Sequence, residues 1–111
     1  MESSHYAKYL REKTSDQIIE NEKGFITYRY VNEKTVYIVD LFILPEFRKG
    51  HVAGNLADSI VFEAKNKGCT KLLGSIIPSN KNSTMSLKVL LGYGMILESS
   101  SNDFIVFKKE I

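Results

Sequence analysis

The sequence predicts a mixed α/β fold, of the α+β kind, in which antiparallel and parallel strand pairs share one sheet flanked by helices. Three observations point there. First, residues 25–31 (FITYRYV) and 35–44 (TVYIVDLFIL) are rich in aromatic and β-branched side chains. They flank the short turn Asn32-Glu33-Lys34, which is the pattern of an antiparallel hairpin. Second, the apolar period changes after Pro45. Val52, Leu56, Ile60 and Ala64 recur at i+4 with Ala53, Ala57 and Val61 beside them, as in an amphipathic helix of about 15 residues. Third, residues 72–77 return to an apolar strand. A strand, a helix and a strand in succession imply a right-handed crossover between parallel neighbours.

The remaining elements follow in order. Ser3 or Ser4 offers a cap for a helix over 6–13, and residues 17–20 (QIIE) read as a short strand before the turn Asn21-Glu22-Lys23-Gly24. Gly68 sits where a left-handed C-cap belongs, with Lys65 and Lys67 in the last helical turn. Pro78 ends the strand 72–77. Asn80, Asn82 and Ser83 are N-cap types for a second helix over 84–91, with Leu87, Leu90 and Leu91 as its buried face and Gly92 and Gly94 as its stop. Ile96-Leu97 and residues 104–107 form a last hairpin around Ser99-Ser100-Ser101-Asn102. The order α-β-β-β-α-β-α-β-β is expected to make one domain over residues 1–111.

With 111 residues and 43% apolar composition the chain can build a core, although a small one that self-association, as in a homodimer, would support. Fifteen Lys+Arg against 13 Asp+Glu leave a net charge of +2. That balance argues against nucleic-acid binding through bulk charge. The single Cys69 cannot form an intramolecular disulfide, and no signal peptide is visible, so a cytoplasmic location is expected. No apolar run approaches the roughly 20 residues of a membrane span. His5 and His51 form no metal-ligand spacing with Cys69, so no metal is expected.

The segment Arg48-Lys49-Gly50-His51-Val52-Ala53-Gly54 joins a strand to a helix. A helix beginning there presents unpaired backbone N–H groups and the positive end of its dipole, which suits an anion. Gly50, Ala53 and Gly54 keep the backbone approachable, and Arg48 and Lys49 add charge. Ile43, Pro45, Glu46, Phe47, Arg48, Ala53 and Leu56 stand at fixed spacing that resembles the acetyl-CoA signature of the GNAT acetyltransferases. That signature is a strand ending Val-x-Pro-Glu-Tyr-Arg, followed by a Gly-x-Gly/Ala turn into a helix carrying a Leu. Tyr93-Gly94-Met95 resembles the Leu-Gly-Phe that closes the family's next helix. The resemblance runs from about Ile18 to the C-terminus, with a reduced N-terminus. In one respect the chain departs from it: His51 occupies the place of the first turn glycine.

The resemblance implies an acyl-CoA N-acyltransferase fold and an N-acetyltransferase that passes acetyl from acetyl-CoA directly to a small-molecule or protein amine. The pyrophosphate would meet the amides of Lys49, Gly50, His51, Val52, Ala53 and Gly54 beside Arg48. The pantetheine would run along the strand end at Ile43 and Leu44, with Asn82 nearby. Transfer requires a deprotonated amine, a polarised carbonyl and a protonated leaving thiolate. Asp40, interrupting an apolar strand, is the candidate general base. The alternative is a structural Asp paired to Arg29 or Arg48. Counting back from Gly94 puts Leu90 where the family carries an acid-donating Tyr. About 15 residues precede the first strand, so the acceptor side is expected to be open or completed by a second subunit, with Tyr28, Tyr30 and Tyr37 available to line it. The competing reading is a binding module of the same fold that has lost its chemistry and acts through protein contacts.

Overall fold

The computed structural model describes His5 and residues 16–48, 50–81 and 83–111. The proposed helix over 6–13, with Lys49 and Asn82, lies outside them. Among the described residues six strands form one sheet: β1 (Gln17–Asn21), β2 (Gly24–Asn32), β3 (Thr35–Ile43), β4 (Lys71–Ile76), β5 (Ile96–Ser101) and β6 (Phe104–Glu110). Their spatial order is β1-β2-β3-β4-β6-β5. Only β3 and β4 are parallel, and every other pair is antiparallel. Helix α1 (Val52–Asn66) crosses between β3 and β4, and α2 (Ser83–Gly92) connects β4 to the β5–β6 hairpin.

Local chemistry explains the corners. Asn21 Oδ1 accepts the N–H groups of Lys23 and Gly24, and Asn32 Oδ1 accepts that of Lys34. Both hairpins therefore turn on an Asn side chain that substitutes for a backbone acceptor. Position 24 requires glycine, since a Cβ there would sit 2.2 Å from the Phe42 carbonyl oxygen. Helices α1 and α2 end alike. Gly68 and Gly94 have φ of +93° and +88°. Cys69 N–H donates to Ala64 O, and Met95 N–H donates to Leu90 O. Each is a left-handed glycine cap whose following apolar residue folds back onto the helix. Gly94, not Gly92, is thus the stop of α2.

The core lies between the helices and one face of the sheet. Leu56, Ile60 and Ala64 of α1 are buried there with Ile26, Tyr28, Val36, Leu72 and Phe107. Leu90 of α2 packs over Gly74, where an added Cβ would meet Leu90 Cδ2 at 2.9 Å. The predicted buried face of the second helix is therefore narrower than expected: Leu90 is buried, while Leu91 is exposed. The last hairpin is longer than expected and turns at Asn102-Asp103, with residues 99–101 inside β5.

Candidate functional site

β3 and β4 pair only from Thr35↔Lys71 to Ile38↔Gly74. Past that point β3 runs on to Ile43 and β4 to Ile76 with no pairing between them. The parting coincides with a β-bulge. Tyr28 opposes Ile38 and Thr27 opposes Asp40, which leaves Val39 as an extra residue on β3. The strands consequently fork. A cleft of about 360 Å³ opens between them, lined by Val39, Asp40 and Leu41 of β3, Ser75 and Ile76 of β4, and Val89 of α2. The β3 edge facing it has lost its strand partner, so its backbone groups need water or a ligand instead.

The cleft leads to the strand-to-helix turn. A smaller cavity of about 40 Å³ shares Leu41, Ala53, Met85, Ser86 and Val89 with it and reaches Phe47 and Arg48. The turn begins with a 3₁₀ turn over Pro45–Phe47. The first N–H to close a backbone bond in α1 belongs to Asn55, onto His51 O at 2.9 Å. Among the described residues, the amides of His51, Val52, Ala53 and Gly54 meet no backbone acceptor. No side chain caps the helix start. A Cβ on Gly54 would meet nothing within 4 Å, and one on Gly50 only Phe47 O at 3.8 Å. Amides at a helix start with no described acceptor, beside glycines whose missing Cβ leaves room, suit a phosphate. His51 has φ −99° and ψ 20° and is exposed. Those angles are open to any residue, so a histidine in place of the resembled glycine strains nothing.

Several predicted residues have other engagements. Arg48 does not extend freely from the turn: its Nε donates to Ile43 O at 2.9 Å and its guanidinium lies 5.7 Å from the Phe42 ring centre. It therefore pins the strand end. Ile43 is buried, and both backbone groups of Leu44 are committed, its N–H to Lys23 O and its carbonyl to Phe47 N–H. The β3 edge without a β4 partner begins instead at residues 39–41, where the Leu41 N–H is given to Asp40, and periodicity alone does not single it out.

Asp40 is exposed, lines the cleft and accepts the Leu41 N–H through Oδ1. The alternative, a pairing with Arg29 or Arg48, is not seen among the described residues. Arg29 instead forks onto Asp16, at 2.6 Å and 3.0 Å, and this hydrogen-bonded carboxylate raises the arginine pKa. The three tyrosines divide between the sheet faces. Tyr28 and Tyr30 lie on the helical side, where Tyr28 Oη donates to Glu63 of α1 and Tyr30 meets Tyr28 edge-on. They do not line an acceptor opening. Tyr37 is on the far face, hydrogen-bonded to Ser75. Tyr93 also lines the cleft. Its hydroxyl donates to Asp58 of α1 at 2.6 Å, and burial together with this bond pushes its pKa up.

A forked mixed sheet whose cleft runs into the bare first turn of a helix defines an acyl-CoA N-acyltransferase fold. The family model described as Acetyltransferase (GNAT) family matches residues 8–93, and the chain belongs to that family. No curated protein matches it. Among solved structures, it resembles a GNAT family acetyltransferase from Elizabethkingia anophelis with acetyl-CoA bound. Identity there is 20%, over 96% of this chain and 85% of that one, with a TM-score of 0.70. The PaiA N-acetyltransferase from Thermoplasma acidophilum, in complex with coenzyme A, gives 12% identity over 94% and 66% of the two chains, with a TM-score of 0.74. The N-acetyltransferase PseH from Campylobacter jejuni, in complex with acetyl coenzyme A, gives 17% over 93% and 73%, with a TM-score of 0.67. Among the described residues no helix is long and apolar enough to cross a membrane.

Proposed function

We propose that this chain is an N-acetyltransferase that takes the acetyl group from acetyl-CoA and passes it directly to an amine. The observation that carries the reading is the pair of adjoining cavities, one at the β3/β4 fork and one beside Phe47, Arg48 and Ala53, that share a wall. Its donors suit the ligand. The amides of His51, Val52, Ala53 and Gly54, with Lys49 and Gly50 beside them, would receive the pyrophosphate. The open β3 edge at residues 39–41, running on toward Ile43 and Leu44, would pair with the extended pantetheine in the way a peptide adds to a sheet edge. Asn82, outside the described residues, is proposed for the cofactor on the family resemblance alone. Relatives in fold that hold acetyl-CoA or coenzyme A support the choice of ligand.

The reacting carbonyl would then lie at the fork. Asp40, on the sheet face opposite α1 and α2 and exposed, would accept the proton of an incoming amine. The exposure of Asp40 suits a small-molecule or protein amine. A second reading, a binding module of the same fold, is favoured by one observation: buried Leu90 packs on Gly74 where the family resemblance places a tyrosine.

Calorimetry with acetyl-CoA tests the first reading. Micromolar binding is expected, and no heat at high micromolar cofactor overturns it. Turnover of an amine panel then separates enzyme from module, the enzyme reading requiring a measurable product. Asp40→Asn should lower kcat on the order of 10²-fold. Equal turnover in both proteins removes Asp40 as the base.

A further inference from the structure

Leu90 leaves the departing thiolate without the expected tyrosine, and the fork holds a different pair of hydroxyls. Ser75 is the first residue of β4 beyond the last parallel pairing at Gly74, and it lines the cleft. Tyr37, on β3, pairs with Leu73, two residues earlier on the same sheet face. Its hydroxyl reaches along the strands and hydrogen-bonds Ser75 Oγ. The two side chains therefore meet across β3 and β4 at the point where these separate, opposite the Val39 bulge.

We propose that Ser75, backed by Tyr37, delivers the proton to the sulfur of the leaving coenzyme A. The proposal rests on the reading of the cleft as an acetyl-CoA site. Other hydroxyls at the cleft are placed or engaged elsewhere. Tyr93 Oη is given to Asp58 and Ser83 Oγ to Pro78 O. Ser86 stands on the α2 wall toward the Arg48 end, where it lines the smaller cavity as well.

The step balances as follows. The amine nitrogen attacks the carbonyl carbon, the C–N bond forms, and the C–S bond breaks with its electron pair moving to sulfur. Ser75 passes its proton to that sulfur, and Tyr37 refills Ser75. The proton shed by the nitrogen goes to Asp40 and returns through solvent to Tyr37. Amine and thioester become amide and thiol, and the protein is unchanged. The pair is needed because an aliphatic alcohol alone is a much weaker acid than a thiol. A phenol behind it narrows that gap.

The thiol of bound coenzyme A reports on this contact without any turnover. A hydrogen bond to the charged form lowers the pKa of the group that receives it. Titrating bound coenzyme A by ultraviolet thiolate absorbance should show ionisation about one pH unit higher in Ser75→Ala than in wild type. Tyr37→Phe should move it in the same direction by less, and Ser75→Thr, which keeps the hydroxyl, should titrate as wild type. In turnover, Ser75→Ala should lower kcat on the order of 10²-fold while KM for acetyl-CoA stays nearly constant. Identical titrations in wild type and Ser75→Ala, both holding coenzyme A by calorimetry, overturn the proton-donor role and leave the cofactor site standing. Failure of wild type to bind coenzyme A overturns the underlying function instead.

Discussion

Residues 35–38 of β3 pair with residues 71–74 of β4, whereas the continuations of the same two strands pair with nothing between them. The closed end lies under the second half of α1, where Val36, Leu72, Ile60 and Ala64 are fully buried. The open end has the Val39 bulge, a cleft of about 360 Å³ and a row of backbone groups with no strand partner. Both ends are apolar by composition. What separates them is one additional residue on β3 and the glycine at position 74 that lets Leu90 press onto the sheet. Stability and ligand capacity are thus housed in successive segments of one strand pair, so substitutions at the two ends should have separable effects.

The largest effect is expected at the closed end. Ile60→Ala removes a fully buried side chain from the core and should destabilise the fold by about 2–5 kcal/mol, read from urea unfolding. Coenzyme A affinity of the folded protein should be unchanged. An equal loss of affinity would show that the two ends are not separable.

At the open end the signs should reverse. Gly54→Ala replaces a glycine in the first turn of α1, where a Cβ meets nothing within 4 Å. Alanine is the better helix former, so the variant should gain about 0.5–1 kcal/mol in unfolding. Its new methyl projects into the space assigned to the phosphates. Coenzyme A should bind about tenfold more weakly by calorimetry, which corresponds to ~1.4 kcal/mol. A stability gain without an affinity loss would move the phosphates away from this turn.

These ends were unequally legible in the sequence. The closed end follows from period alone: Leu56, Ile60 and Ala64 announce the helix, and the strand–helix–strand order announces the parallel pair. The start of α1 at Val52 and the left-handed Gly68 were readable for the same reason, because local backbone chemistry fixes them. The fork was not readable. Residues 35–44 look like one continuous apolar strand, and the extra residue at Val39 is defined only against β2, which lies in another part of the sequence. Arg48 folding back on Ile43 and Tyr37 meeting Ser75 are likewise choices of partner made in space. A residue's type shows that it needs a partner without showing which one it finds.

Tyr93→Phe tests the strut between the two helical walls. The Tyr93–Asp58 hydrogen bond ties α2 to α1 beside the cleft, and its loss should cost about 1 kcal/mol. The pH dependence has a definite sign. Tyrosine in an unfolded chain ionises near ~10, and the folded value is higher because of burial and the Asp58 bond. The folded state therefore holds this proton more tightly. Its contribution is complete below about pH 10 and declines as the pH rises above that. Thermal midpoints of Tyr93→Phe should fall less steeply than those of wild type above about pH 10. Parallel alkaline slopes would show that the hydroxyl is not held as the structure places it.

The smallest effect is expected at His51, and it bears on how the open end was assembled. The backbone there, at φ −99° and ψ 20°, makes no demand for glycine, and the exposed ring caps no helical N–H. Glycine is also an acceptable residue at a helix start, so His51→Gly should change stability by only a few tenths of a kcal/mol. The amide of residue 51 stays in place, and only the ring is removed. That isolates a single question, namely what the imidazole does to an arriving phosphate. If it only stands in the approach, coenzyme A should bind about threefold more tightly to the variant, ~0.6 kcal/mol by calorimetry. Weaker binding would mean instead that the ring itself touches the phosphates, so that the departure from the family's glycine adds a donor where the backbone already supplied several.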